Sequence, residues 1–414
     1  MIPSLDVYDG SSGDDVYAGR AHFMLRRGAV STTFSYAESY MARNDAYAID
    51  PAFPISGATH HCAGLPGSFR DSSPDRWGRH LILREHHASS IAQNESPCQL
   101  DEVDFLVGVF DKTREGALRF RLPEGGFLAQ SRAVPPIVEL PALLEASRRV
   151  AKDDAGMAQI KELLDAGSGS LGGARPKASV RDGDRLLLAK FSHPEDEWDV
   201  MGWEKTMLDM AHDVGIRVPD SRLVALGGER VLLLDRFDRE GSDVEGRRIP
   251  YMSAMTALRA ADGDRRDYAE LAEELPMLVD DVRAQLAEMF RRVVFSVAVH
   301  NTDDHLRNWG FIRRKGTWEH APLFDVNPCP YANASRATSI MGEAEREEAE
   351  ALRSLAAYAQ LDDEAASDEV RRVLSVVSGW EAYAVANGCA KRELDLFRPV
   401  FDDREKALRR AFGI

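Results

Sequence analysis

The feature that most constrains this chain is an apolar helical face that runs directly into a polar cluster. Asp280 suits an N-cap, and Val282, Leu286, Met289, Phe290, Val293, Val294 and Val297 follow at helical spacing. A face that broad has to be buried, so whatever leaves the helix leaves from a core. What leaves is "HNTDDHLRN", with two aspartates, two histidines and two asparagines. "NWGFIRRKGTWEHAPLFDVNP" then reads as strand, Lys315-Gly316 turn, strand, and a further aspartate, Asp325.

This order suits phosphoryl transfer. One carboxylate must orient the attacking hydroxyl, and hard oxygen ligands must hold Mg²⁺ against nucleotide phosphates. Asp303 and Asn308 stand five residues apart, and a hairpin would bring Asp325 back toward them. The protein-kinase catalytic loop has the same Asp-to-Asn interval and is also followed by a metal-binding Asp.

Upstream segments supply matching parts. "ASVRDGDRLLLAKFS" reads as a hairpin turned at Asp182-Gly183, with Lys190 ending its apolar second strand. Trp203, Met207, Met210, Ala211 and Val214 form a helical stripe, with Glu204 beside it and Gly215 at its end. A phosphate-contacting Lys held by a helix Glu is a kinase-lobe arrangement. The run "GSGSLGGARPK", with Gly172, Gly173 and Lys177, precedes the lysine strand, where bare backbone can approach phosphates. "SRLVALGGERVLLLDRF" reads as a second hairpin, ending at Asp235 to Phe237, where a hinge would offer backbone groups to adenine.

Composition narrows the class. With 52 Lys+Arg against 68 Asp+Glu, the formal charge is −16, a poor match for direct non-specific DNA binding. The four cysteines lack C-x-x-C spacing, which reads as a reduced, cytoplasmic chain. The start has no signal-peptide pattern, and no apolar run is long enough to span a membrane.

The fold class expected is α+β, in three parts. Residues 1–130 hold short strands such as "RAHFMLRRGAVSTTFSY" and "GALRFRLPEGGFLA", with a helix starting near Pro74 and Asp75 and Trp77 in the core. Residues 131–240 hold the Gly-rich run, the lysine strand and the hinge. Residues 241–414 are mainly helical, and the acidic run "GEAEREEAEAL" reads as a solvated face.

The segments "SLGGARPK", "LLLAKFS", "VLLLDRFDR", "NTDDHLRN" and "PLFDV", in that order, resemble the HipA family of serine/threonine kinases, toxins of bacterial toxin–antitoxin pairs. "FRDSSPDRWGRHLI" resembles the turn and helix of that family's N-terminal domain. The resemblance implies a protein-kinase-like two-lobed fold using ATP and Mg²⁺. It makes Asp303 the catalytic base, Asn308 and Asp325 metal ligands, and Lys190 the ATP-phosphate lysine. It makes Asp235 to Phe237 the adenine hinge and Ser170 an autophosphorylation site that switches the enzyme off. It further implies an aminoacyl-tRNA synthetase as protein substrate and a helix-turn-helix antitoxin of HipB type, through which alone DNA would be met. Where familiar members carry a His-Gln-Glu-Asp stretch after the hinge, this chain reads "RIPYMSAMTALRAADG", so its target site differs.

Each motif also has a plainer reading. Asp303 and Asn308 could only end a helix and make a turn, and Lys190 could guard a sheet edge. The glycines could be a linker, and Ser170 an ordinary loop serine. His305 reads as a brace for the loop, with metal ligation as the alternative. Of the twin aspartates, Asp304 reads as the dispensable one. Competing functions are a small-molecule phosphotransferase, a non-catalytic kinase-fold binding module, and a metal phosphoesterase built on "DDH".

Overall fold

The expected hairpins and the two helical stripes are present in the computed structural model of the chain, which describes residues 2–128, 133–168, 173, 175–241, 246–344 and 347–414. The chain divides into two units. One comprises Met1–Glu195 with Ala225–Met252, the other Asp196–Val224 with Ser253–Ile414.

In the first unit, Val16–Arg26 and Ala29–Tyr36 pair across a turn whose central residues, Arg27 and Gly28, both have positive φ, the twist-matched hairpin geometry. They lie in an antiparallel sheet ordered His60–Ala63, Ala29–Tyr36, Val16–Arg26, Ser4–Asp9, Leu118–Arg121. Alternation sends Leu5, Val7, Ala21, Phe34 and Phe120 to one buried cluster with Phe53 and Phe69. "GALRFRLPEGGFLA" departs from the expected hairpin. Its first half is the strand Leu118–Arg121, but its second half forms no described strand and meets the first at the Arg121–Phe127 bridge. Asp75 caps the helix Arg76–Ala92 by accepting from the Gly78 N–H at 2.6 Å, and Trp77 is buried.

The lysine hairpin is Lys177–Asp182 and Arg185–Phe191, turned at Gly183 with φ of 60°. The strand Glu229–Asp235 pairs with the other side of Arg185–Phe191. Arg185–Phe191 is therefore an interior strand.

In the second unit, the helix Val200–Val214 ends at Gly215, whose φ of 88° supplies the left-handed C-cap. Its stripe is buried as expected, and the Trp203 ring lies 4.1 Å from that of Phe397. The long apolar helix is Val282–Ala298. Its cap is Asp281 and not Asp280. The Asp281 carboxylate accepts from the Ala284 N–H at 3.2 Å, a reach that Asp280, one residue further out, does not make. Leu286, Met289, Phe290, Val293, Val294 and Val297 are all buried, worth about 1.5–3 kcal/mol each relative to exposure.

The tail forms the helices Glu348–Tyr358, Asp363–Val377, Trp380–Ala386 and Lys391–Phe412. The acidic run is not uniformly solvated. Glu348 is 1% exposed, with Arg336 at 2.8 Å and Arg404 at 3.5 Å. A buried carboxylate persists only with such partners. The four cysteines are free. Among the described residues no helix is long and apolar enough to cross a membrane.

Candidate active site

After Val299 the chain turns through buried His300, whose φ of 49° lies in the left-handed region. Its Nε2 lies 3.1 Å from the Tyr331 carbonyl oxygen, and burial pushes its pKa down. The two aspartates then part. Asp303 is exposed, whereas Asp304 is buried. Asp304 Oδ2 accepts from the Tyr268 hydroxyl at 2.5 Å, the Ser296 hydroxyl at 2.6 Å and Arg336 Nη1 at 2.5 Å. Arg336 also donates to the Asn301 carbonyl at 2.8 Å and, through Nε, to Glu348 at 2.8 Å. Thr338 Oγ1 donates to the Asp304 carbonyl and the Ala337 N–H to the Thr302 carbonyl, each at 2.9 Å.

This corrects the reading of Asp304 as the dispensable twin. Its carboxylate ties the loop to the core, and removing one partner of such a pair leaves the other charge buried. Arg336, Tyr268 and Ser296 were missed by sequence reasoning. They lie 32, 36 and 8 residues from Asp304, and no local pattern marks them.

Asn308 folds back on the same loop. Its Nδ2 donates to the Asp303 carbonyl at 3.0 Å and its N–H to the His305 carbonyl at 2.8 Å. The amide is thereby oriented, and no donor meets its oxygen among the described residues. His305 is half-buried, and its Nδ1 has no hydrogen-bond partner among the described residues.

The strands Gly310–Arg314 and Thr317–His320 form the expected hairpin. It is pinned by His320, which accepts from Trp309 Nε1 at 3.2 Å and lies 3.0 Å, through Nε2, from the Gln285 carbonyl. Those partners select the neutral ring with its proton on Nε2, and burial pushes the pKa down to about 3. Asp325 follows, half-buried, with φ of 55°. A non-glycine residue in that region is strained, a condition that concentrates at functional sites.

Asp303, Asn308 and Asp325 thus belong to one unit. An open amide oxygen and a carboxylate are hard donors. Mg²⁺ commonly takes one or two carboxylates and completes its shell with water and phosphate, so the set fits that ion. Among the described residues no group of three or more His, Cys, Asp and Glu side chains is arranged to hold a metal alone.

The nucleotide-side candidates fall out less evenly. Lys190 is 5% exposed and faces Lys177 on one neighbouring strand and Leu232 on the other. An interior strand removes the edge-guard reading. Lys177 needs a correction. Its Nζ sits 2.5 Å from Asp75 Oδ2, with the two side chains 2% and 5% exposed. That buried pair gives Lys177 a role in holding the hairpin to the Arg76–Ala92 helix start, in place of the expected one at open phosphate. Like charges facing each other across a ladder are unfavourable, and Asp75 neutralises one of them.

Glu204 is 1% exposed on the helix Val200–Val214. Asp235 ends its strand and pairs with Arg185 at 2.9 Å, while Phe237 packs 6.1 Å from the Tyr251 ring. Ser170 and Gly172 lie outside the described residues; Gly173 has φ of 114°. Gly167, with φ of 63°, has a packing reason to be glycine, since a Cβ there would lie 2.2 Å from Thr113 Oγ1.

Comparison with known proteins places the chain. The model described as HipA N-terminal domain matches residues 16–121, and that described as HipA-like C-terminal domain matches residues 169–380. The chain belongs to the HipA family. A Haemophilus influenzae protein named as a candidate kinase is 27% identical over 150 residues, which is 33% of this chain and 44% of that relative. The match therefore spans less than half of the curated relative's length. The HipA chain in the structure of a Shewanella oneidensis toxin–antitoxin complex, solved with HipB and operator DNA, superposes with a TM-score of 0.69. It is 17% identical and covers 99% of this HipA-family chain and 98% of its own. The α+β, protein-kinase-like fold expected from the sequence is the HipA fold.

Proposed function

We propose that this HipA-family chain is an ATP- and Mg²⁺-dependent serine/threonine protein kinase. The single observation that carries the reading is the division of labour in the loop. Asp304 anchors it from within, Asp303 is held exposed, and Asn308 is folded back with its amide oxygen free for a ligand. A loop serving only as a turn has no need of a buried arginine and three hydroxyl or guanidinium donors on one carboxylate.

In this reading Asp303 orients the attacking hydroxyl and accepts its proton. Asn308 and Asp325 would hold Mg²⁺, which when bound neutralises phosphate charge. Lys190 serves the ATP phosphates, Glu204 is the helix glutamate of the kinase pattern, and Asp235 to Phe237 receives adenine. Gly172 and Gly173 line the phosphate loop, and His305 braces the catalytic loop. Family membership supports autophosphorylation at Ser170, outside the described residues, as the step that switches the enzyme off through the added charge. Family membership supports an aminoacyl-tRNA synthetase as the protein substrate. It also supports a HipB-type helix-turn-helix antitoxin as the partner that brings the chain to DNA, in keeping with a formal charge of −16.

The test is transfer of label from γ-labelled ATP to proteins of a bacterial lysate in the presence of Mg²⁺, with Asp303→Asn alongside. Labelled protein that disappears in Asp303→Asn is the expected result. Label passing only to small molecules, or independent of Asp303, overturns the reading.

A further inference from the structure

The first unit contains a second buried charge network. Its centre is Asp238, 1% exposed, directly after the Asp235 to Phe237 segment. Asp238 accepts from Arg236 at 2.6 and 2.5 Å, from Arg239 at 2.8 Å and from the Gly116 N–H at 2.8 Å. The same arginines reach the loop after Phe110. Arg236 donates to the Thr113 carbonyl at 3.0 Å, and Arg239 to the Arg114 carbonyl at 2.6 Å and that of Lys112 at 3.2 Å.

A second knot lies beside it. Fully buried Asp111 accepts from Arg119 at 2.6 Å and Arg248 at 3.1 Å. Arg114, also fully buried, spends its guanidinium on the carbonyls of Ser72, Leu106 and Val109. The residues on either side of Phe237 are thus tied to the β-rich N-terminal part of the chain, Arg236 through the Thr113 carbonyl and Asp238 through the Gly116 N–H.

Networks of this kind are weak stabilisers, because desolvating each ion offsets most of the attraction. Their best-attested use is to specify one geometry. The geometry specified here is that of the strand exit at Asp235 to Phe237, whose Arg236 N–H also donates to the Leu186 carbonyl at 3.1 Å on the lysine strand.

We infer that the N-terminal part of the chain is a working component of the nucleotide site, with Asp238 and Arg239 as positioning residues that set the adenine hinge through the loop at 111–116. The inference rests on the reading of Asp235 to Phe237 as that hinge. It predicts that disturbing the network weakens recognition of the base while sparing recognition of the phosphates.

Amide hydrogen exchange on the full chain, with and without MgATP, examines the hinge reading by itself. Protection at Asp235 to Phe237 is expected, and its absence overturns the hinge and the inference with it. Titration of Asp238→Asn then isolates the inference. ATP affinity should fall about tenfold while affinity for inorganic tripolyphosphate stays within about twofold. Unchanged ATP affinity, or equal losses for both ligands, overturns the inference and leaves a protected hinge standing. If Asp238→Asn does not unfold cooperatively, Arg239→Lys is judged by the same criterion. It keeps the charge but loses the planar donors, and an ATP-specific loss of about threefold is expected.

Discussion

The two buried charge networks, one in each unit, differ in what they hold still. Beneath the loop of the second unit Arg336 bridges two carboxylates, Arg404 stands beside the second, and neutral hydroxyls complete Asp304. In the first unit Arg236, Arg239, Arg119 and Arg248 crowd two aspartates, and Arg236, Arg239 and Arg248 also donate to carbonyls. The first arrangement anchors one residue so that its neighbour can stay exposed. The second fixes a length of backbone. In both, the residue proposed to act is next in sequence to a buried one that does not.

That contrast can be broken at its sharpest point. Asp303→Asn should lower phosphoryl transfer by about 10²–10⁴-fold while leaving the urea midpoint almost unchanged, because Asp303 is exposed. A stability loss equal to that of an Asp304 variant would erase the distinction. Arg336→Ala should do the reverse and cost about 3–5 kcal/mol in urea unfolding, since it removes the arginine from buried Asp304 and leaves Glu348 with the more distant Arg404.

A pH series sharpens the comparison, because the two units carry buried groups displaced in opposite directions. Burial, reinforced by Asp238, pushes Glu115 up to about 8 from 4.5. The folded state then holds a proton that the unfolded chain has lost, so stability falls as pH rises between those values. Glu115→Gln should flatten that slope, by about 1–2 kcal/mol after allowance for its partial exposure. His320 behaves oppositely: its folded pKa of about 3 lies below its ordinary 6.5. Its contribution is complete above 6.5 and drains away as pH falls toward 3. Urea midpoints across the range check both signs. The smallest effect is expected outside the networks. The Arg307–Asp262 pair lies at the surface of the same loop, with side chains 37% and 71% exposed, and Arg307→Ala should cost less than about 1 kcal/mol by the same measurement.

Much of the scaffold was legible because local rules decided it. Gly183 and Lys315-Gly316 mark hairpins, Gly215 stops a helix, and apolar spacing buried Trp203 and Val297. The site was legible as an order of residue types. Its supports were not. Asp304 looks like Asp303 until Tyr268 and Arg336 arrive from distant parts of the chain. Lys177 looks like a phosphate ligand until Asp75, 102 residues away, claims it. Glu348 looks like one of several surface glutamates until Arg336 and Arg404 converge on it. Asp281 displaced Asp280 as a cap because only the hydrogen bond, not residue type, separates adjacent aspartates. Tertiary pairing of charge has no period, and so no local signature.

The division of the chain also governs when the molecule can begin to exist. Each unit is interrupted in sequence by part of the other, with passages after Glu195, Val224 and Met252. During synthesis the lysine strand therefore emerges without Glu229–Asp235, the partner that makes it an interior strand. The helix Val200–Val214 likewise emerges long before Phe397, on which Trp203 packs. A ribosome-bound fragment that carries Lys190 but ends before Met252 has neither unit complete, and one that ends before residue 303 still lacks most of the second. On the reading proposed here, competence for phosphoryl transfer arrives late in translation and nearly all at once, with no partially active nascent form.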